Sequence, residues 1–175
     1  MKKIIVTVVL ALMSNAFFAQ SSFDKYEGQE GVTSIIVNKK MFQMMASVKV
    51  DANDKETQQY LTLMKKLDHL KVFTTTSTRV STEMKLSTDN YIKTAGLEEL
   101  MRTNDSGKNV RILVKGGTVE GQVKELLMFI EGSNKENETV LMSLTGSFDL
   151  SEISVLTDKM KIPGGDDLKK ATVGK

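Results

Sequence analysis

The chain has no cysteine, one histidine and one proline among its 175 residues. Without cysteine there is no disulfide framework, no thiol nucleophile and no acceptor for a lipid at a processed N-terminus. A single histidine rules out a structural zinc site on ligand count, and it leaves a Ser-His-Asp triad with one candidate base. That histidine, His69, sits at a helix-to-strand junction, and no serine occupies a G-x-S-x-G elbow. It reads as structural. Carboxylates are plentiful, but Asp24, Glu27 and Glu30 show neither the alternating spacing of a calcium loop nor environments that would split a carboxylate pair into acid and base. They read as a solvated segment. The glycines from Gly116 to Gly121 lack dinucleotide-loop spacing and open no helix, so they read as a hairpin loop. No catalytic residue, metal site or cofactor is expected, and the chain is expected not to be an enzyme; a hydrolase ranks third among the functions considered.

An excess of one charge is also missing. Removing Lys2 and Lys3 with the N-terminal segment leaves 22 basic against 22 acidic side chains. A nucleic-acid binder needs a basic footprint to displace phosphate counterions, so nucleic acid is not an expected partner.

What is present begins at the N-terminus. Lys2 and Lys3 precede an apolar run from Ile4 to Met13, followed by the small residues Ser14, Ala16 and Ala19, the layout of a secretory signal. The run is too short for a retained span, which needs roughly 20 apolar residues. Residues 1–20 are therefore expected to be removed on export to the periplasm or beyond, leaving no membrane span and no lipid anchor. Residues 21–162 are expected to form one domain, and 163–175 a flexible tail, beginning at Pro163 and the glycines behind it.

Within the domain, Gly31 to Lys39 holds a β-branched run that predicts a buried strand of about seven residues. Met41, Phe42, Met44 and Met45 then fall at helical spacing, and Asn53 with Glu56 forms a capping box before a second helix. The stretch from Leu70 to Thr78 predicts the next strand, paired in parallel with the first. Arg79 to Ala95 predicts a helix with Val80, Met84, Ser87 and Tyr91 on one face. Thereafter the period changes to two, predicting strands over 97–103, 110–115, 123–131 and 139–145 joined by Gly, Asn and Asp turns as an antiparallel meander. Asp149 and Glu152 cap a last helix that Pro163 ends. The expected architecture is an α+β two-layer sandwich: a mixed sheet of about six strands with helices on one face.

Two features point to a surface. Nine of the eleven methionines lie beyond the leader, and Met41, Phe42 and Met45 crowd one helix. Methionine fills cores, but it also makes plastic binding surfaces; thioether ligation of copper is the least favoured account, because the cluster lacks histidine. The strand from Glu125 to Glu131 is apolar at Leu126, Met128 and Ile130 and also at Leu127 and Phe129, and Leu113 on the preceding strand falls on the face of Arg111 and Lys115. A second apolar sheet face needs cover from another segment, a second copy or a partner. Met41, Phe42, Met45, Leu113, Leu127 and Phe129 are thus the candidate interaction residues.

The string FDKYEGQEGVTSIIVNKKMFQMM, Glu98 to Arg102 before Val110 to Lys115, and LMSLTGSFDLSEISVL from Leu141 to Leu156 resemble the exported Bacteroidetes family known as domain of unknown function 4252. The resemblance covers nearly the whole mature chain. It implies no activity and no catalytic residues, and it implies a role in an envelope response beside sigma-factor and anti-sigma genes. The absence of an N-terminal cysteine departs from lipid-anchored relatives. Together these features lead to an exported, non-enzymatic interaction module of the bacterial envelope, with an envelope protein or a homodimer as partner. The alternative is a periplasmic carrier of a small apolar ligand or lipid, which requires a closed apolar cavity.

Overall fold

The computed structural model describes residues 22–173 except 52–53, 106, 120 and 133–137. The leader expected over 1–20 and the cap expected at Asn53 lie outside the described residues. Six strands, β1 (Thr33–Asn38), β2 (Leu67–Thr75), β3 (Glu98–Asp105), β4 (Lys108–Gly116), β5 (Gln122–Glu131) and β6 (Thr139–Asp149), form one sheet in the order β1-β2-β6-β5-β4-β3. The helices are α1 (Lys39–Ala46), α2 (Lys55–Lys66), α3 (Thr78–Ala95), α4 (Ile153–Met160) and α5 (Gly165–Val173). The α+β class, the six strands and the meander from β3 to β6 follow the sequence pattern.

Local chemistry explains the helix starts. Asn38 accepts a hydrogen bond from the Met41 amide at 3.0 Å and so begins α1 directly where β1 stops. Asp54 caps α2, accepting from the Thr57 amide at 3.0 Å and its hydroxyl at 2.6 Å, and these bonds hold its carboxyl below the usual range. The predicted capping box at Asp149 and Glu152 is present and starts a 3-10 turn, Leu150–Glu152, that leads into α4.

Every strand pair is antiparallel, including β1 with β2, so the mixed sheet with a parallel first pair is corrected. The reason is the number of helices in the connection. One helix would return the chain to the start of β1, but α1 leads away and α2 leads back, so β2 begins beside the end of β1, with Asn38 opposite His69.

Helices on one face is the second correction, because each face of the sheet carries its own core. On one, Leu126, Met128 and Ile130 of β5 pack with Phe42 of α1, Leu63 and Met64 of α2, and Ile153 and Leu156 of α4. On the other, Leu113, Leu127, Phe129 and Leu141 pack with Val80, Met84 and Tyr91 of α3 and with Phe23 and Tyr26 from the N-terminal segment. Topology forces this arrangement. α3 joins β2 to β3, which lie on opposite sides of β6, β5 and β4, and its 18 residues span about 27 Å, enough to cross them.

The segment 163–175, expected as a flexible tail, carries α5, whose Leu168 is buried in the first core and whose Asp167 pairs with Lys108 at 2.6 Å. A periodicity of only two turns hid that helix behind its Gly-Gly start.

The chain needs glycine at Gly146, where β6 passes the start of β2 at a shift in register. A Cβ there would drive into the Lys66 carbonyl and come within 2.9 Å of the Leu67 Cα. Because the obstacle is backbone, Gly146→Ala is expected to destabilise by about 1–3 kcal/mol, read as a lower urea midpoint with unchanged slope.

Candidate interaction surface

Polar chemistry inside the fold is concentrated under α3. Glu125 of β5 is 3% exposed, and both its carboxylate oxygens accept from the Tyr91 hydroxyl, at 2.9 and 2.8 Å. Ser143 of β6 adds a weak contact at 3.5 Å. Burial pushes the Glu125 carboxyl up, against the Tyr91 hydrogen bond and the Lys115 charge, which pull it down. The Tyr91 phenol is pushed far up, first by burial and then by the Glu125 charge, so it stays a donor. Further along α3, Ser81 meets Thr139 at 2.6 Å, Lys85 meets Glu131 at 2.9 Å and Asp89 meets Arg111 at 2.6 Å. These contacts fix α3 across β6, β5 and β4. They form a structural seam.

His69 lies within β2, half-buried, opposite Asn38 on one side and Thr145 on the other. Three surface concavities are lined by other residues. One of about 610 Å³ runs from Lys108 past the α4–α5 junction to Lys170, one of about 320 Å³ lies between α2 and α4 at Gln58 and Ser151, and one of about 330 Å³ lies over α3 at Ser87 and Thr94. The first is walled mainly by polar groups, the other two expose somewhat more apolar than polar surface, and none of the three is an enclosed cavity. Among the described residues no three His, Asp or Glu side chains converge as a metal cage, and no helix is long and apolar enough to cross a membrane.

The six candidate interaction residues separate into two groups. Leu113, Leu127 and Phe129 are buried beneath α3, so the second sheet face is covered within one chain and is corrected as an interaction surface. On α1, Phe42 is also corrected: it is fully buried, and with Ala46 it points into the first core, while Met45 is half-buried against that core. Met41 remains exposed.

Around Met41 lies a surface that reaches beyond the Met41 to Met45 stretch marked by the sequence. Met44 is 59% exposed, Val48 just after α1 equally so, and at the β1 edge Ile35, on the face that α1 covers, is 43% exposed and Ile36, on the opposite face, 37%. Met44 was legible: at 100° per residue it stands opposite the inward pair Phe42 and Ala46. The isoleucines were not, because a β-branched run reads as buried, and only the strand order shows that β1 is an edge. Exposed apolar side chains on two adjoining elements, beside a strand that among the described residues is a sheet edge, make a surface suited to a protein partner.

A family model described as Domain of unknown function (DUF4252) matches residues 26–156. The chain belongs to that family. The match takes in all six strands and the helices α1 to α3, and so includes both the β1 edge and the methionines of α1; it stops within α4. No curated protein and no solved structure matches the chain.

Proposed function

We propose that this family member is an exported, non-enzymatic interaction module of a bacterial envelope that docks a protein partner on the β1 edge and the outer side of α1. The observation that carries the proposal is the exposure of Ile35, Ile36, Met41, Met44 and Val48 on adjoining elements, in a chain whose two sheet faces are otherwise filled. Export rests on the leader-like layout of residues 1–20, and the Bacteroidetes assignment rests on the sequence resemblance. The carrier alternative requires an enclosed apolar cavity, whereas each of the three concavities opens to the surface.

The test is capture from the envelope fraction by the tagged chain, with lipid extraction in parallel. Met44→Glu, which leaves Phe42 and Ala46 in the core, is expected to keep the fold and weaken capture by about tenfold or more, the loss typical of charging an apolar contact. Equal capture by Met44→Glu, or stoichiometric lipid in the preparation, would overturn this function.

A further inference from the structure

We infer that the occupant of this surface is a second copy of the same chain, joined to the first by antiparallel pairing of β1 with β1 about a two-fold axis normal to the sheet. The inference rests on the docking surface proposed above and names its partner.

The two edges of the sheet differ in how they are protected. β3 carries Glu98, Glu99 and Arg102 and breaks its register between Glu99 and Met101. Charge and bulges of this kind keep an edge from accepting another strand. β1 reads Thr-Ser-Ile-Ile-Val-Asn, with no charge and no proline, and pairs with β2 over all six residues without a shift. Its free side is a regular, uncharged template.

Self-pairing also satisfies the side chains. An axis normal to the sheet keeps each face on its own side, so only residues of the same alternation class can oppose one another. Centred on Ile36, the pairing sets Ile36 against the partner's Ile36, Ile35 against the partner's Val37, and Ser34 against the partner's Asn38. Apolar residues meet apolar ones and polar residues meet polar ones. Centring on Ile35 would instead set Ser34 against the partner's Ile36. Beyond the strand, the exposed Glu30 precedes β1 and the exposed Lys40 follows it. Antiparallel pairing brings the acidic entry of one copy toward the basic exit of the other, whereas parallel pairing would bring lysine to lysine. α1 follows β1 directly and contacts β1, β2 and α2. Its exposed Met41 and Met44 are thus on the element next to the paired edge, and the two-fold brings α1 toward the partner's α1.

The register gives a specific test, because position 36 opposes itself. Light scattering and sedimentation of the purified chain are expected to show twice the monomer mass. Ile36→Lys and Ile36→Glu, each alone, are expected to weaken the dimer at least about tenfold through like-charge opposition, with far-UV dichroism unchanged and the concentration dependence of melting reduced. Mixing the two variants is expected to restore a one-to-one dimer. A monomeric wild-type chain would overturn the self-pairing; if Met44→Glu still abolished partner capture in that case, the docking surface would stand with a different occupant. A dimer untouched by either Ile36 variant, or one that the mixture fails to restore, would overturn the pairing register and with it this inference.

Discussion

Phe129→Ala is expected to lower the unfolding free energy by about 3–5 kcal/mol, the range for removing a buried phenylalanine ring from a packed core. Phe129 is 1% exposed, lies in register between Arg111 of β4 and Leu141 of β6, and is covered by α3, with the Lys85 ammonium 5.9 Å from its ring centre. Among the described residues, the core it belongs to is the smaller of the two, with ten buried residues against twenty-three on the opposite face. One ring is therefore a large share of what holds α3 down. Urea unfolding read by far-UV dichroism checks the value. If this face were an open interface in the isolated chain, the same substitution would change stability by no more than about 0.5 kcal/mol, which would contradict the cover by α3.

The second large effect is a stability change that depends on pH. Tyr91→Phe removes the donor that serves both oxygens of the buried Glu125 carboxylate and leaves only the distant Ser143 hydroxyl. Where the carboxyl is ionised, its expected cost is about 2–3 kcal/mol, the range for stripping a hydrogen bond from a buried charged group. The sign of the pH dependence follows from the direction of the Glu125 shift. Its folded carboxyl titrates above the ordinary value of 4.5, so the stability it contributes is complete below that value and is lost as pH rises through the folded one. Removing Tyr91 takes away the leading influence that pulls this carboxyl down, which extends the loss to higher pH. The penalty of Tyr91→Phe should therefore shrink toward about 1 kcal/mol at pH 4, where the carboxyl is protonated and only a neutral hydrogen bond is missing. Glu125→Gln in the Tyr91→Phe background should flatten the profile. Denaturant midpoints between pH 4 and 8 measure it, and a penalty that stayed constant across that range would mean that Glu125 is not the group responsible.

Much of the secondary structure was legible in the residues. The Asp149 and Glu152 box, the change of period after Leu97 and the face Val80, Met84 and Tyr91 each specify a local conformation that does not depend on distant contacts. Where local signals were short, they misled. The helix from Gly165 begins on glycines and holds through Leu168, a contact with residues far back in the chain. The double apolar pattern of β5 told correctly that both faces needed cover but could not say what supplied it.

The candidate surface shows the same boundary. Met41 was marked by composition, and Met44 could have been found from the helical repeat once Phe42 was taken as inward. Ile35 and Ile36 could not, because the same β-branched sequence is buried in a central strand and exposed at an edge.

The residues by themselves determined the balance of charge, the absence of thiol chemistry, the α+β class and the elements that local capping and periodicity specify. Only the tertiary structure decided that α1 and α2 turn β2 antiparallel to β1, that α3 closes the second face, and that β1 stands at a rim with its isoleucines uncovered. Capping and periodicity act over a few residues and are written in neighbouring side chains. Strand order and face coverage depend on which distant segments meet, and that is set by competition among whole elements for the same apolar surface.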